Sequence, residues 1–323
     1  MKNEIGTGIA DAEVLSEICE VIRTTSKADY GKIIEQRATY PWIYHLAEVR
    51  SNIVEWLPIN REDAVLEVNA ECGALSETLL EKADCLTYIT DTNLQREIVE
   101  LRLKKNVPDY EKKDVTGYTG KFADIERELG KYNVIILCGV IGYASQMLAE
   151  KADDPYRTLI EILKRHLKPG GSIVMADGNR LGLKYLAGCQ EDHYGGYFNG
   201  IHDYAGCEGY RTFTRKEYQK IFTEAGLPEL QFYYPYPDYK FPSVIYSDEY
   251  LPKEGELNDN RRNIDRDRYM FFNELSAYNT LIAEGLFQEF SNSFLLIASE
   301  RGTKEHVTGE SKGISGSKRI SGS

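Results

Sequence analysis

The stretch 64–75 constrains the fold more than any other part of the chain. Its first five residues, Ala-Val-Leu-Glu-Val, are apolar apart from one glutamate, which is typical of a short buried strand. The next five, Asn69-Ala-Glu-Cys-Gly73, begin and end with residues that favour tight turns. A helical pattern starts at Leu75. A strand that runs through a tight turn into a helix is the first unit of an open α/β sheet.

The same alternation of strand and helix continues along the chain. Strands are predicted at 64–68, 86–90, 115–118, 133–138, 172–176, 229–234 and 293–299. Helices are predicted near 75–81, 95–104, 155–167, 215–225 and 267–285. Lys168-Pro-Gly-Gly171 is predicted to be a turn before the fifth strand. The pattern predicts an α/β fold, a Rossmann-like doubly wound sheet of seven strands covered on both faces.

The predicted domain organisation has three parts. Apolar residues recur at helical spacing from 11 to 57, so residues 1–58 are expected to form an N-terminal helical lid. Residues 59–300 form the main domain, with insertions at about 178–212 and 235–290 after the fifth and sixth strands. The Gly/Ser/Lys-rich end, 301–323, carries Ile-Ser-Gly-Ser twice and is predicted to be a disordered tail.

Composition excludes several classes of partner. The 39 basic and 51 acidic residues give a net charge of -12, which repels nucleic acid. Apolar runs stay shorter than the roughly 18 residues of a spanning helix, and the first residues do not read as a signal peptide, so we expect a cytoplasmic protein without membrane insertion. The six cysteines are scattered without metal-ligand spacing, which predicts reduced thiols and no metal site.

Two acidic residues mark a candidate ligand site. Ligands of doubly wound sheets lie beyond the carboxyl ends of the strands. Glu67 closes the first predicted strand and Asp91 follows the second, where a carboxylate can accept the hydroxyls of a ribose. The motifs of nicotinamide and phosphate-loop proteins are absent from the sequence, which makes those classes weaker alternatives. A cofactor-free domain whose strand ends carry solvated acids remains an alternative.

The chain also resembles a known family. It is similar to bacterial class I S-adenosylmethionine-dependent methyltransferases, in particular a group encoded near cell-surface polysaccharide glycosyltransferases. The resemblance covers roughly residues 40 to 300. It is carried by segments 44–52 (YHLAEVRSN), 65–68 (VLEV), 72–75 (CGAL), 179–185 (NRLGLKY), 191–193 (EDH), 211–214 (RTFT), 232–240 (FYYPYPDYK), 265–269 (DRDRY) and 290–294 (FSNSF).

The resemblance implies S-adenosylmethionine as cofactor. Its binding residues would be Glu67, Asn69, Ala70, Gly73, Asp91, Thr92, Phe122, Ala123, Cys138, Gly139 and Val140. In the family the loop after the first strand reads Glu/Asp-x-Gly-x-Gly-x-Gly, and here only Gly73 remains. Asn69 and Glu71 replace the other two glycines, and Lys121 stands where the family has Asp or Asn beside the adenine. Asn tolerates left-handed backbone, whereas Glu71 adds a side chain and a negative charge near the ligand's own carboxylate.

The candidate catalytic residues lie in the predicted insertion after the fifth strand. Methyl transfer to a hydroxyl requires removal of its proton, and histidine is suited to this near neutral pH. His193 is the predicted base, oriented by Asp192 or Glu191, with a solvated loop as the alternative. The acceptor's phosphate or carboxylate and its sugar faces would contact the predicted substrate-binding residues. These are Arg180, Lys184, Tyr197 and Arg211.

The sequence thus leads to one principal hypothesis and two alternatives. The first is methyl transfer from S-adenosylmethionine to a hydroxyl of a small-molecule or glycan precursor in cell-surface polysaccharide biosynthesis. The second is a catalytically degenerate relative that serves as a binding or regulatory partner of polysaccharide-assembly enzymes. The third is a remodelled loop that accepts another nucleotide-like ligand. Base rates for soluble proteins favour a homodimer.

Overall fold

The fold is built on one mixed sheet. A computed structural model of the chain describes residues 11–258 and 268–301. In these ranges the strands are β1 Ala64–Val68, β2 Cys85–Thr90, β3 Asp114–Thr119, β4 Tyr132–Cys138, β5 Leu167–Gly178, β6 Glu229–Tyr236, β7 Val244–Ser247 and β8 Ser293–Ser299. Their order in the sheet is β3-β2-β1-β4-β5-β8-β6-β7. β1 to β5 are mutually parallel, β8 is antiparallel to both β5 and β6, and β7 is antiparallel to β6.

Helices precede the sheet and connect its strands. In the described ranges they are α1 Ala12–Thr24, α2 Tyr30–Arg37, α3 Tyr40–Leu46, α4 Asn52–Glu55, α5 Ser76–Lys82, α6 Asn93–Asn106, α7 Phe122–Ile125, α8 Ala144–Met147, α9 Pro155–Arg165, α10 Leu183–Leu186, α11 Arg215–Glu224, α12 Glu274–Ala283 and α13 Phe287–Phe290. Short 3₁₀ turns lie at Lys27–Asp29, Glu48–Ser51, Tyr110–Lys112, Glu126–Glu128 and Ile141–Tyr143. The predicted α/β architecture is confirmed.

Apolar residues lie on both faces of the sheet. Neighbouring strand residues point to opposite faces, so Val65 and Leu66 of β1 join two different buried clusters, as do Ile135 and Ile136 of β4. A third cluster forms where α1 packs beside α6 and includes Ile18 and Ile98. The N-terminal helices are therefore part of the packed structure. All six cysteines lie in the described ranges and are free thiols.

The structure corrects three details of the prediction. The sheet has eight strands instead of seven, and the additional strand is β7, which lies at the edge of the sheet. It begins soon after Pro242, and proline is tolerated next to an edge strand. The predicted turn at Lys168-Pro-Gly-Gly171 lies inside β5, and the register with β4 shifts there between Tyr132 and Val134. The predicted helix near 267–285 runs from Glu274 to Ala283, because the side chain of Asn273 caps its first turn.

Parts of the sequence prediction concern residues outside the described ranges. The predicted disordered tail lies there apart from Arg301, and so does the start of the chain that was compared with a signal peptide. The same holds for residues 259–267 of the second predicted insertion. Across the residues that the structure describes, none of the helices has the length and apolar character to cross a membrane.

Candidate functional site

The loop after β1 has left-handed backbone at three positions, although only one of them is a glycine. Asn69, Glu71 and Gly73 have φ values of 62°, 49° and 73°, so every second residue lies in the left-handed region. That region favours glycine, and Asn is among the few other residues that enter it at modest cost. Asn69 and Glu71 therefore hold a backbone conformation that favours glycine while they add side chains to the loop.

Contacts with the next strand and helix fix this loop. The amide of Ala70 donates to the carbonyl of Ile89 on β2, at 2.8 Å, and the amide of Gly73 donates to the carbonyl of Ala70, also at 2.8 Å. A Cβ atom added to Gly73 would lie 3.3 Å from the side chain of Val99 on α6. Glycine at this position therefore allows α6 to pack closely against the loop.

Glu67, the last residue but one of β1, has a buried carboxyl group close to the loop. Its Oε2 atom accepts a hydrogen bond of 2.5 Å from the hydroxyl of Ser76, at the start of α5. Burial is the main cause that raises the pKa of Glu67 to about 7, and the nearby Glu71 adds to it, while the bond from Ser76 opposes it. This carboxyl group can therefore bind a ligand either as an acceptor or, when protonated, as a donor.

The N-terminal segment adds a buried arginine to the site. Arg50 is 4% exposed, and its guanidinium carbon lies 3.6 Å from the ring centroid of Tyr44. Burial opposes its charge, yet Tyr44, Cys138 and Glu71 raise the pKa of Arg50 above its ordinary value. Its electrostatic partners therefore come from the N-terminal segment, the β1 loop and the end of β4.

A second buried arginine anchors this segment to the β1 loop. Arg102 on α6 donates from Nη1 to the carbonyls of His45, at 2.7 Å, and Cys72, at 3.2 Å, while its Nε pairs with Glu77 at 2.6 Å. His45 is itself buried, and burial, with Arg50 and Arg102, lowers the pKa of its imidazole to about 3. His45 is therefore neutral at physiological pH and does not become a cation there.

Several buried polar atoms at this end of the sheet lack a hydrogen-bond partner among the described residues. They are Oδ1 of Asn69, Nε and Nη1 of Arg50, and Oδ2 of Asp177. Buried polar atoms are nearly always paired, so a cluster of exceptions needs an explanation. Two acceptors and two donors left open where a doubly wound sheet binds ligands point to a polar ligand.

The ends of β2 and β3 carry the other predicted cofactor residues. Thr92 caps α6 reciprocally with Gln95, whose Oε1 also accepts from the amide of Asp91 at 3.1 Å. Phe122 is buried at the start of α7, with Ala123 beside it, half-buried. Lys121 is exposed. The structure thus gives Thr92 a capping role and directs Lys121 towards solvent.

Aromatic residues cover the ends of β4 and β5. Gly139, which follows Cys138 and precedes Val140, donates from its amide to the carbonyl of Ala176 at 2.8 Å. A Cβ atom at Gly139 would lie 2.9 Å from the hydroxyl of Tyr239. Asp177, next on β5, accepts at Oδ1 from the hydroxyl of Tyr210 at 3.2 Å. Tyrosines from distant segments therefore meet over these two strand ends.

His193 lies against the same aromatic group. Its ring stacks on that of Tyr210, with centroids 3.3 Å apart and planes at 26°, and Tyr143 meets it edge-on at 5.7 Å. The Oε1 atom of Glu191 lies 3.4 Å from Nδ1 of His193. The Oε2 atom of Glu191 accepts hydrogen bonds from the backbone amides of His193, at 2.8 Å, and Tyr194, at 2.7 Å. Of the two carboxylates proposed to orient this histidine, the structure brings Glu191 to it.

Asp192 instead belongs to a buried ionic group that we call the lysine cluster, made of Lys184, Asp192, Asp238 and Lys240. Asp192 Oδ2 lies 2.6 Å from Lys240 Nζ and 3.2 Å from Lys184 Nζ, which also lies 3.6 Å from Asp238. Burial alone would raise the pKa of Asp192, but the two ammonium groups outweigh it and hold the pKa well below its usual range. The cluster joins the segment after β5 to the segment after β6.

The remaining predicted substrate residues lie in the insertion after β5. Arg180 forms two bonds with Glu217, at 2.9 and 3.0 Å, and Arg211 pairs with Asp203 at 2.5 Å. The hydroxyl of Tyr197 accepts from Gln190 at 3.4 Å. Arg180, Lys184 and Arg211 are thus all engaged by carboxylates of the chain itself, and among these three side chains only the Nε atom of Arg211 is buried without a hydrogen-bond partner in the part of the chain that the structure describes. No group of three or more potential metal ligands occurs within the described ranges.

Three residues near the candidate site escaped the sequence prediction, for two different reasons. Asp177 follows the fifth predicted strand, so the strand-end rule that identified Glu67 and Asp91 could have found it. Tyr239 and Lys240 lie in a proline-rich segment, and their contacts join residues about 50 to 100 positions apart. The sequence carries no local signal for such contacts.

Comparisons with other proteins give distant similarity only. No protein-family model matches the chain, and no curated protein is detectably similar in sequence. A SAM-dependent methyltransferase from Thermotoga maritima is 12% identical, with 89% of this chain and 100% of that chain covered and a TM-score of 0.43. A SAM dependent methyltransferase from Archaeoglobus fulgidus is 12% identical, with 90% and 100% covered and a TM-score of 0.44.

Proposed function

We propose that the protein transfers a methyl group from S-adenosylmethionine to a hydroxyl group of a sugar or glycan precursor. The strand order supports the class: five parallel strands wind outward from a switch point between β1 and β4, and antiparallel β8 is inserted beside β5. This is the arrangement expected of the class I methyltransferase fold that the sequence resembles. The ligand site of such a sheet is the crevice at the switch point.

The observation that carries the proposal is the set of open polar atoms around the β1 loop. Arg50 offers Nε and Nη1 as buried donors, and Asn69 offers Oδ1 as a buried acceptor. An α-amino acid presents a carboxylate and an ammonium group, which need donors and acceptors respectively. These residues therefore fit the methionine end of the cofactor, with Glu67 as a further acceptor. Arg50 also offsets the negative charge of Glu71.

The other cofactor residues follow from the strand ends. Asp91, at the end of β2, would accept the ribose hydroxyls, and Phe122 with Ala123, after β3, would flank the adenine. Gly73 and Ala70 would bring the backbone of the β1 loop close to the ligand. Cys138, Gly139 and Val140 would line its reacting end. When bound, S-adenosylmethionine supplies an electrophilic methyl carbon on a sulfonium.

His193 is the proposed base for the acceptor. Glu191 holds its Nδ1 side and Tyr210 supports its ring face, so Nε2 is the nitrogen that can take a proton. His193 would take the proton of the acceptor hydroxyl, so that the acceptor oxygen could receive the methyl group that the bound cofactor would supply. Arg211 and Tyr197 are proposed to contact the acceptor, and the lysine cluster and Arg180 to hold the surrounding segments.

Transfer of a labelled methyl group tests this function. Full-length protein with S-adenosyl-[methyl-³H]methionine should label at least one of a panel of free and nucleotide-linked sugars. His193→Ala should lower the rate by about 10²-fold or more, the usual contribution of a general base, with donor affinity retained. The matched control is His202→Ala, at an exposed loop position. Equal rates for His193→Ala and wild type would remove His193 as the base, and an unlabelled panel with the donor bound would reject the sugar acceptor.

One observation favours a second candidate function. Glu71 is 8% exposed, so its side chain lies within the structure beside the proposed methionine end. A carboxylate fixed there opposes a ligand carboxylate. This fits a catalytically degenerate protein that binds or regulates polysaccharide-assembly enzymes. If the second candidate function is right, wild type should not bind S-adenosylmethionine and Glu71→Gly should bind it. Glu71→Gln tests the effect of the negative charge, because it keeps the shape of the side chain.

A further inference from the structure

Asp177 is the most deeply buried carboxyl group at the ligand end of the sheet. It lies at the carboxyl end of β5, opposite Phe294 of β8, and is 0% exposed. Its Oδ1 accepts from its neighbour's amide, Gly178, at 2.7 Å and from the hydroxyl of Tyr210 at 3.2 Å. Its Oδ2 has no hydrogen-bond partner among the described residues. A buried carboxyl oxygen without a partner is costly unless a ligand completes it.

The surroundings of Asp177 suit a positive charge. Tyr210 donates to it, and the ring of Tyr143 lies 4.6 Å from that of Tyr210. Tyr239, whose hydroxyl lies over Gly139, interacts with Asp177 electrostatically. A carboxylate in such a buried site attracts a cation more strongly than one in water. The nearby ammonium of Lys240 is engaged by Asp192 at 2.6 Å, within the lysine cluster.

Asp177 also lies close to the end of β4, where the proposed cofactor would bind. The thiol of Cys138, at the end of β4, has Arg50, Glu71, Asp177 and Glu67 as its charged neighbours. The strand end at the switch point therefore has the proposed methionine-binding residues on one side and Asp177 on the other. In S-adenosylmethionine the sulfonium joins the methionine end to the ribose. A cation at that position would lie between the proposed methionine-binding residues and Asp177.

We propose that Asp177 is a specificity-determining residue that balances the positive charge of the methyl donor. The site would thereby distinguish the sulfonium of S-adenosylmethionine from the neutral thioether of S-adenosylhomocysteine. This role rests on the proposed function and requires no second base, because His193 removes the acceptor proton. After transfer the sulfur is neutral, and the product loses its attraction to Asp177, which favours release.

The protonation of Asp177 supports this role. Burial raises the pKa of Asp177 to about 7, and Asp192 adds to it, whereas the bonds from Gly178 and Tyr210 and the charge of Lys240 oppose it. Cys138, Tyr143, Tyr204, Tyr210, Tyr218 and Tyr239 also face this carboxyl group. The carboxylate is therefore partly neutral near pH 7, and a bound cation favours its ionised form. Selectivity for the sulfonium should increase as the pH rises through that region.

Calorimetric titration of the full-length protein with both ligands tests the proposal without any acceptor. The quantity measured is the ratio of the Kd for S-adenosylhomocysteine to the Kd for S-adenosylmethionine. In wild type this ratio should increase between pH 6 and pH 8. Asp177→Asn keeps the acceptor for Tyr210 and removes the charge, so its ratio at pH 8 should be about tenfold lower and independent of pH.

Two further variants and a fold measurement make the outcomes separable. The distant Asp63→Asn should keep the wild-type ratio, and Glu67→Gln should change both affinities alike. Circular dichroism checks whether Asp177→Asn folds. If this variant does not fold, the pH dependence of the wild-type ratio still tests the proposal. A wild-type ratio independent of pH, or one unchanged in folded Asp177→Asn, overturns the role of Asp177 alone. Failure of wild type to bind either ligand overturns the proposed function and this role with it.

Discussion

Two groups of buried charges near the carboxyl ends of the strands differ in how far the protein itself satisfies them. In the lysine cluster, Lys184, Asp192, Asp238 and Lys240 form ion pairs between 2.6 and 3.6 Å. Around the β1 loop, Arg50 and Asn69 keep buried polar atoms without a hydrogen-bond partner among the described residues. A satisfied group holds segments together, whereas an incompletely satisfied one is prepared for a ligand.

The difference also explains how the two groups arise. The lysine cluster joins segments after β5 and β6 and brings together residues up to 56 positions apart, from Lys184 to Lys240. The β1 loop is local, and its left-handed backbone at Asn69 and Glu71 follows from one short turn. Stability should therefore depend mainly on the first group and ligand affinity mainly on the second.

The largest expected effect is on the lysine cluster. Asp192→Asn would leave two buried ammonium groups without their shared carboxylate, so we expect the free energy of unfolding to fall by about 3–5 kcal/mol. Urea unfolding at pH 7 measures it. The matched control is Asp203→Asn, because Asp203 is a mostly exposed partner of Arg211 and should contribute little. A loss for Asp192→Asn as small as that of the control would show that the cluster does not hold these segments.

An intermediate effect is expected from Asp177 and depends on pH. Its folded-state pKa of about 7 lies above the value of about 3.9 expected for the unfolded chain. The folded state therefore binds more protons between these values, and the stability is fully present below about pH 4 and is lost as the pH rises to about 7. Without ligand, wild type should lose up to about 3 kcal/mol more than Asp177→Asn over this range. Urea unfolding as a function of pH measures the difference, and parallel profiles would contradict it.

The smallest expected effect concerns the backbone of the β1 loop. Asn69 has a φ of 62°, so Asn69→Ala should destabilise the protein by about 1 kcal/mol, because alanine enters the left-handed region reluctantly. Asn69→Gly should stay closer to wild type, since glycine adopts this conformation freely. Thermal unfolding of the two variants compares them directly. Equal stability of both variants would mean that the loop does not require left-handed backbone in solution.

The sequence predicts local features of the molecule better than contacts between distant segments. Strands β1 and β8 agree with the sequence at both ends, because short apolar runs between turn residues define them locally. Strand β7 was missed, since four residues after a proline carry little periodic signal. The strand-end rule finds Glu67 and Asp91, whereas the pairing of Asp192 with lysines rather than with His193 depends on long-range packing.

The central claim is that the β1 loop and Arg50 form a methyl-donor site. Calorimetric titration with S-adenosylmethionine of wild type, Arg50→Gln and the control Arg37→Gln tests it most directly, because Arg37 contacts Trp42 in the N-terminal helices and carries a comparable charge. We predict micromolar binding by wild type and by Arg37→Gln, and affinity at least tenfold weaker for Arg50→Gln. Absence of binding by wild type, or equal affinity in all three proteins, would contradict the claim.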